Sequence, residues 1–442
     1  MTSPAAIGQV TGHGLVLPND PLDDTRALAV AYARYLAACC RRFLSVETRL
    51  PAHLRPAHRQ IATLVRQALQ HSQRQMLHCF ASPMVSTPLQ CLELRDDLDG
   101  FRTRIDAAAA DLMPHLLLEM ALRRLIADGQ SVLWEHGAPR LASLAIGGEL
   151  MPPAGATGLR FSASHIVAVD GRGELARLAL VRRDGMFRAL VEEQNGFHVE
   201  RRFWRTGKIA HFATMDHNPI AEFEAHPDKA GNHVDLGGHS EQDWIGVLDQ
   251  CFALLEEFMP GELAEMRTML HVIIPVGYHE VRHLSASYRE AVGTIYLTLH
   301  PNVMTMVEAL VHEFQHNKLN VSAHSVELLV NGLHPLYASP VRPDPRPLWG
   351  ILLAVHAFLP VAELYRRMRD GGHPWAALGG FERRLAELDH KNHEGMEMLR
   401  AHAQFTTAGR AVFDELQTLE RRHLAERASR GLETTPTEIH FS

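Results

Sequence analysis

Apolar positions along the chain fall into distinct textures. Over residues 24–135 they recur at helical spacing. Leu28, Tyr32, Tyr35 and Leu36 form one stripe, Ile61, Leu64, Val65 and Leu69 the next, and residues 112–126 are a Leu/Ala/Met run. Intervals of three and four put such residues on one helix face, so this part predicts packed helices with Met and Leu in the core. Proline-rich stretches at 51–56 and 83–88 are expected to separate the helices. From about Pro139 the runs become short or alternating, over residues 161–169, 175–181, 187–191 and 197–203. Asp170-Gly171, Asp184-Gly185 and Asn195-Gly196 lie between them. Such dipeptides are strong hairpin signals, so an antiparallel sheet is expected over 140–215. Arg182, Arg183, Arg201, Arg202 and Arg205 decorate it, either as a solvated face or along an edge strand that takes a peptide.

Residues 216–239 read as loop. Ser240-Glu241-Gln242-Asp243 then has the form of a capping box, opening a helix with Trp244, Val247, Leu248, Cys251, Leu255 and Phe258 inward and a stop at Pro260-Gly261. Two strand-like runs follow, Val272-Ile273-Ile274-Pro275-Val276-Gly277 and Gly293-Thr294-Ile295-Tyr296-Leu297-Thr298-Leu299. A turn at Pro301-Asn302 leads into an apolar helix from Met304, with Val307, Leu310, Val311 and Phe314 as its core stripe. Residues 348–369 predict another apolar helix, interrupted at Pro360. Residues 376–427 predict helices with Leu385, Leu388, Met396, Leu399 and Phe413 inward, and from Gly431 a flexible tail. The expected organisation is a helical region 1–138, an antiparallel β region 139–239, a catalytic region 240–375, and C-terminal helices and tail over 376–442. The fold class is α+β, mostly helical with a central antiparallel sheet.

Composition narrows the function. With 442 residues, 46% hydrophobic and 21% charged, the chain can bury a sizeable core in two or three packed subdomains. A net charge of -7 argues against a nucleic-acid-binding surface. The five cysteines show no C-x-x-C spacing, so neither a zinc ribbon nor an iron–sulfur cluster is encoded, and buried reduced thiols are expected. The N-terminus shows no basic stretch followed by an apolar one. No membrane segment is expected, and the expected location is cytoplasmic.

One predicted helix carries chemistry. In Val311-His312-Glu313-Phe314-Gln315-His316, helical geometry projects His312 and His316 from one face. Such a pair on a rigid helix is a platform for one divalent ion; the alternative is two histidines that hydrogen-bond within the core. A second string, His279-Glu280-Val281-Arg282-His283, follows a strand ended by Pro275 and Gly277 and lacks an apolar stripe. We read it as loop or strand-edge histidines outside the metal site. A catalytic metal needs three protein ligands and open positions. Leu319 and Ser322 stand where a His-Glu-x-x-His-x-x-Gly-x-x-His motif has glycine and histidine, which excludes that class. Glu327 is too close in sequence to be a good candidate. His356 and Glu363, seven apart and nearly on one helix face, are both in contention for the third ligand. Between the helices, Arg342-Pro343-Asp344-Pro345-Arg346-Pro347 displays two guanidinium groups on a proline-stiffened loop. That loop suits an anionic co-substrate, or else Arg–Asp pairs that staple it.

Several of these strings together resemble the HExxH-motif peptide-modification family. They are Leu310-Val311-His312-Glu313-Phe314-Gln315-His316-Asn317-Lys318-Leu319-Asn320, Tyr337-Ala338-Ser339-Pro340, the 342–347 loop and Gly350-Ile351-Leu352-Leu353-Ala354-Val355-His356-Ala357-Phe358. The resemblance spans roughly residues 270–370. It implies a dioxygenase dependent on Fe(II) and α-ketoglutarate (2-oxoglutarate), on a fold that is not a cupin barrel. Its reaction would be β-hydroxylation of a residue in a ribosomally synthesised precursor peptide. The resemblance also implies a metal set of His312, His316 and His356, with Glu363 as the substitute third ligand. Arg342 or Arg346 would hold the distal carboxylate of the co-substrate, and Glu313 would orient a ligand imidazole. No C-x-x-x-C-x-x-C string occurs, so a radical-SAM maturase would be a separate partner. The rival enzymatic expectation is a zinc metallopeptidase with Glu313 as general base. A third is a peptide-binding maturation partner whose site is structural or inactive.

Overall fold

Helices α1 (Thr25–Ser45), α2 (Arg55–Cys79), α3 (Pro83–Leu94) and α4 (Arg102–Leu122) build the first layer, in a computed structural model that describes residues 14–18, 25–94, 99–183, 186–187, 196–222, 231–340 and 344–431. The helical period does what it predicts: Leu28, Tyr32, Tyr35, Leu36, Ile61 and Val65 are all buried. The helices separate just before the 83–88 stretch, as expected near it, but the stretch itself is helical. Pro83 opens α3, where the first turn needs no donor, and Pro88 sits inside it. Burial of every residue from Pro83 to Leu92 overrides the local proline preference.

The β region is antiparallel as expected, but it is not one sheet. Gly158–Phe161, His165–Asp170 and Gly173–Ala179 form a meander edged by Val132–Trp134. The Asp170-Gly171 hairpin falls at its predicted place. Leu141–Ser143, Gly148–Met151 and His198–Arg201 make a separate sheet. The expected turn at Asp184-Gly185, most of the 187–191 run, Asn195, Arg342 and the tail beyond Gly431 lie outside the described residues.

A further sheet positions the site, and it is mixed. Phe203–Thr206 pairs antiparallel with Ala210–Ala213, which runs parallel to Val272–Tyr278, which runs parallel to Thr294–Leu299. Parallel pairing needs a long crossover, here supplied by α5 (Glu241–Phe258) and α6 (Pro260–Met269). The capping box at Ser240 and Asp243 is formed. The helix ends at Phe258, as expected ahead of Pro260-Gly261, and Pro260 opens the separate helix α6 in its first turn.

Helices α7 (Val303–Ala323), α8 (Leu348–Asp370), α9 (Gly379–His402) and α10 (Thr407–Ser429) complete the described fold. Val307, Leu310, Val311 and Phe314 bury into the main core, while Leu319 joins Ile351, Val355, Leu399 and Phe413 in a second one. The helix α7 therefore lies between two cores. Pro360 does not interrupt α8. By length and composition α8 could cross a membrane, but 78% of its most apolar window is buried in the protein. No closed barrel occurs among the described residues.

Candidate metal centre

The helix that presents the motif is held at both ends. Asn302 caps α7, its side chain accepting the Met304 N–H at 3.0 Å. Further along, Asn317 accepts the Gly293 N–H at 2.8 Å and donates to the Thr294 carbonyl at 3.2 Å, tying α7 to the strand before it. Gly293 has a φ of 82°, and a Cβ there would approach the Met269 carbonyl oxygen to 2.6 Å, so the close turn requires glycine.

On this support the two imidazoles stand together. The His312 and His316 ring centroids are 4.4 Å apart, nearly perpendicular at 79°. Both Nδ1 atoms are buried without a hydrogen-bond partner. Burial, then the neighbouring His316, Arg384 and His283, pushes His312 well below the ordinary imidazole range. Burial alone lowers His316 to about 4. Both rings are neutral at pH 7, the state in which imidazole binds a metal. Glu313 is 3% exposed, with Oε1 4.0 Å from His312 Nε2. One ligand atom from each of His312, Glu313 and His316 can be chosen so that all lie within 4.8 Å of one another. Orphaned buried nitrogens on neutral rings beside a carboxylate fit a divalent cation better than a hydrogen-bonded core pair.

This group lies on the wall of a cavity of about 1170 Å³. Helix α8 faces the cavity with Gly350, Leu353, Ala354, Phe358 and Tyr365, and α9 with Phe381 and Arg384. Arg346 is also on the wall, and its Nε is 2.9 Å from Asp344 Oδ2. Arg346 thus staples the loop, as one of the two readings has it, and also borders the cavity.

His356 is not in this group. Its Nε2 is 2.8 Å from the Leu15 carbonyl oxygen, on the side of α8 away from the cavity, where burial lowers it to about 3. Glu363 shares that face. It is held by Arg367 at 2.8 Å, Arg422 at 2.7 Å and His423 at 3.0 Å. Burial works to raise the Glu363 carboxyl, but the bonds from His423 and Arg367 prevail and bring it down to about 2. The two candidates do share a helix face, as the spacing requires, but at His356 this face meets α7 beside the Gln315 backbone, behind the imidazole pair and not on the cavity side.

The second His-Glu-x-x-His string is a loop, as read from the sequence. Exposed His279 accepts the N–H groups of Val281 and Arg282 at 3.0 Å. His283, in contrast, is on the cavity wall, which the sequence reading did not anticipate. It also missed a polar network there. Glu308 accepts from Arg384 Nη2 at 2.8 Å and from the Tyr365 hydroxyl. Glu308 precedes His312 by one turn, so helical spacing could have found it; Arg384 arrives from α9 through packing that no local pattern announces.

The fold places at a cavity wall a group, His312, Glu313 and His316, whose ligand atoms are close enough together to hold a metal ion. Scanned against models of known protein families and against curated proteins, the sequence matches neither a family model nor a curated relative.

Proposed function

We propose that the chain is an Fe(II)- and α-ketoglutarate-dependent dioxygenase that β-hydroxylates a residue of a ribosomally synthesised precursor peptide. The observation that carries this reading is the neutral His312/His316 pair on the wall of a cavity that two arginines also border. At about 1170 Å³ the cavity exceeds the roughly 300–1,000 Å³ usual for a small ligand alone, leaving room for a co-substrate and a peptide side chain. His312 and His316 would hold the metal. Bound there, iron(II) would supply the activation of dioxygen, with α-ketoglutarate as reductant. Arg346, paired through Nε with Asp344, borders the cavity and would meet the distal carboxylate of the co-substrate, while Arg384 is held by Glu308 and Glu387 and adds positive charge to the wall. Phe358, Trp375 and Phe381 give the cavity apolar walls that exclude water and take an apolar portion of a peptide.

The placement of Glu313 favours a second reading, a zinc metallopeptidase. Its carboxylate lies within 4.8 Å of the candidate histidine ligand atoms, where a general base for an attacking water would stand. The test is metal analysis after anaerobic purification, followed by incubation with iron(II), α-ketoglutarate and the short peptide encoded nearest the gene. Mass spectrometry should show a gain of one oxygen on an intact peptide. A cleaved peptide with zinc as the retained metal would overturn the hydroxylase reading.

A further inference from the structure

Gly350, Ala354 and Phe358 follow one another at intervals of four on α8, and all three line the cavity. Helices α7 and α8 run antiparallel along it. The Tyr365 hydroxyl meets Glu308, and the Phe358 and His312 ring centroids are 4.4 Å apart. One turn further along each helix, Ala354 comes level with His316. His312 therefore faces a phenyl ring, His316 faces a methyl group, and the next position on the wall is glycine.

Nothing in the fold calls for glycine there. The φ of Gly350 is outside the left-handed region, so its backbone suits any residue. The nearest neighbours of a Cβ at this position would be carbons of the Arg346 side chain at 3.5–3.9 Å, which is ordinary van der Waals contact. Within a helix alanine is more stable than glycine. What Gly350 provides is open space on the wall, between the stem of Arg346 and Ala354.

We propose that Gly350 keeps open the channel in which the carbon chain of α-ketoglutarate lies, between the metal pair and Arg346, and so limits which 2-oxo acids the site accepts. This rests on the dioxygenase reading. Two features select the occupant. The channel has a place for a cation at one end and the positive charge of Arg346 at the other, so it suits a molecule with an acid group at each end. From Gly350 to Ala354 is one helical turn, about 5.4 Å, the scale of a short dicarboxylate. Arg346 keeps its pair with Asp344 in this arrangement, and the channel depends on the space at Gly350 rather than on a free guanidinium.

The test uses chelator-stripped full-length protein reloaded with Co(II), whose visible bands report ligand binding without turnover. α-Ketoglutarate is titrated beside oxalate, which chelates a metal but has no chain to reach Gly350. Gly350→Val and Gly350→Leu should keep the wild-type affinity for Co(II) and oxalate. They should bind α-ketoglutarate at least about tenfold more weakly, the scale of forcing extra bulk into occupied space. Gly350→Ala, without metal, should raise the denaturant midpoint. Unchanged α-ketoglutarate affinity in both bulky variants, or oxalate weakened as much as α-ketoglutarate, overturns the channel and leaves the metal pair standing. A lower midpoint for Gly350→Ala overturns it too, by showing that the fold itself requires the glycine. Wild-type protein that takes up Co(II) but does not respond to α-ketoglutarate defeats the dioxygenase reading, and one that takes up no Co(II) defeats the metal reading.

Discussion

At the scale of single residues, Glu313 separates the two enzymatic readings. Its Oε1 lies 4.0 Å from His312 Nε2, beyond hydrogen-bond length, so this oxygen is not bonded to that nitrogen. In a peptidase it would accept the proton of an attacking water, and losing such a base costs roughly 10²–10⁴ in rate. In a hydroxylase it transfers no proton and only steadies a ligand, a role whose loss appears as metal affinity weakened about 10–100-fold. Glu313→Gln keeps the shape and removes the charge. With metal supplied in excess, hydroxylation by this variant should return close to the wild-type rate. A variant with normal metal content and no hydroxylation would contradict the orienting role. His312 and His316 were readable from the sequence because a four-residue interval on a helix has one geometric outcome. The third position was not, since it depends on how separate elements face one another.

Elements show the same division. The helix α7 was legible from its stripe, and its tie to the preceding strand agrees with the expected strand–turn–helix order. For α8 the shared face of His356 and Glu363 was legible, but not its direction. That direction is fixed by residues 14–18, which lie where no apolar period marks them: Val16 accepts from Gln315 at 3.1 Å and from Lys318 at 3.3 Å, and Leu15 meets His356. Of the mixed sheet's four strands, Val272–Tyr278 and Thr294–Leu299 were legible, but their parallel pairing was not, because pairing direction is a property of the crossover rather than of either strand. Beside the N-terminal segment, Lys318 and Glu265 form an ion pair at 2.5 Å with both side chains fully buried, fastening α7 to α6. Burial works to lower Lys318, and the charges of Glu265 and Glu262 overcome it and raise it. Removing one partner of such a pair typically costs about 3–5 kcal/mol, because the other charge stays buried. Lys318→Met should therefore lose roughly that much in denaturant unfolding, and Lys318→Met with Glu265→Leu should recover most of it. Equal losses in the single and double variants would show that shape, not charge, holds the two helices together.

For the whole molecule, histidine content sets the response to acid. Burial lowers His211, His271 and His324 to about 4, and His217 and His356 to about 3. It lowers His58, His78, His115 and His423 as well. In the unfolded chain such rings titrate near 6.5. Between pH 6.5 and 4 the unfolded state thus binds protons that the folded state refuses, and the stability held above pH 6.5 is lost as pH falls. Among the described residues four carboxyls oppose this. Burial raises Asp216 to about 6 and also raises Asp111, Glu262 and Glu290, so the fold holds protons there that the unfolded chain has released. The imidazoles outnumber the carboxyls, so the net sign follows the histidines. Denaturant midpoints of chelator-stripped protein should fall from pH 7 to pH 5, on the order of 1.4 kcal/mol per pH unit for each net proton. A flat or rising midpoint over that range would mean that the buried rings are charged in the fold. The same neutrality bears on the site: with His316 already deprotonated at pH 7, metal uptake there has almost no proton to displace, and calorimetry in buffers of different ionisation enthalpy should give one common heat.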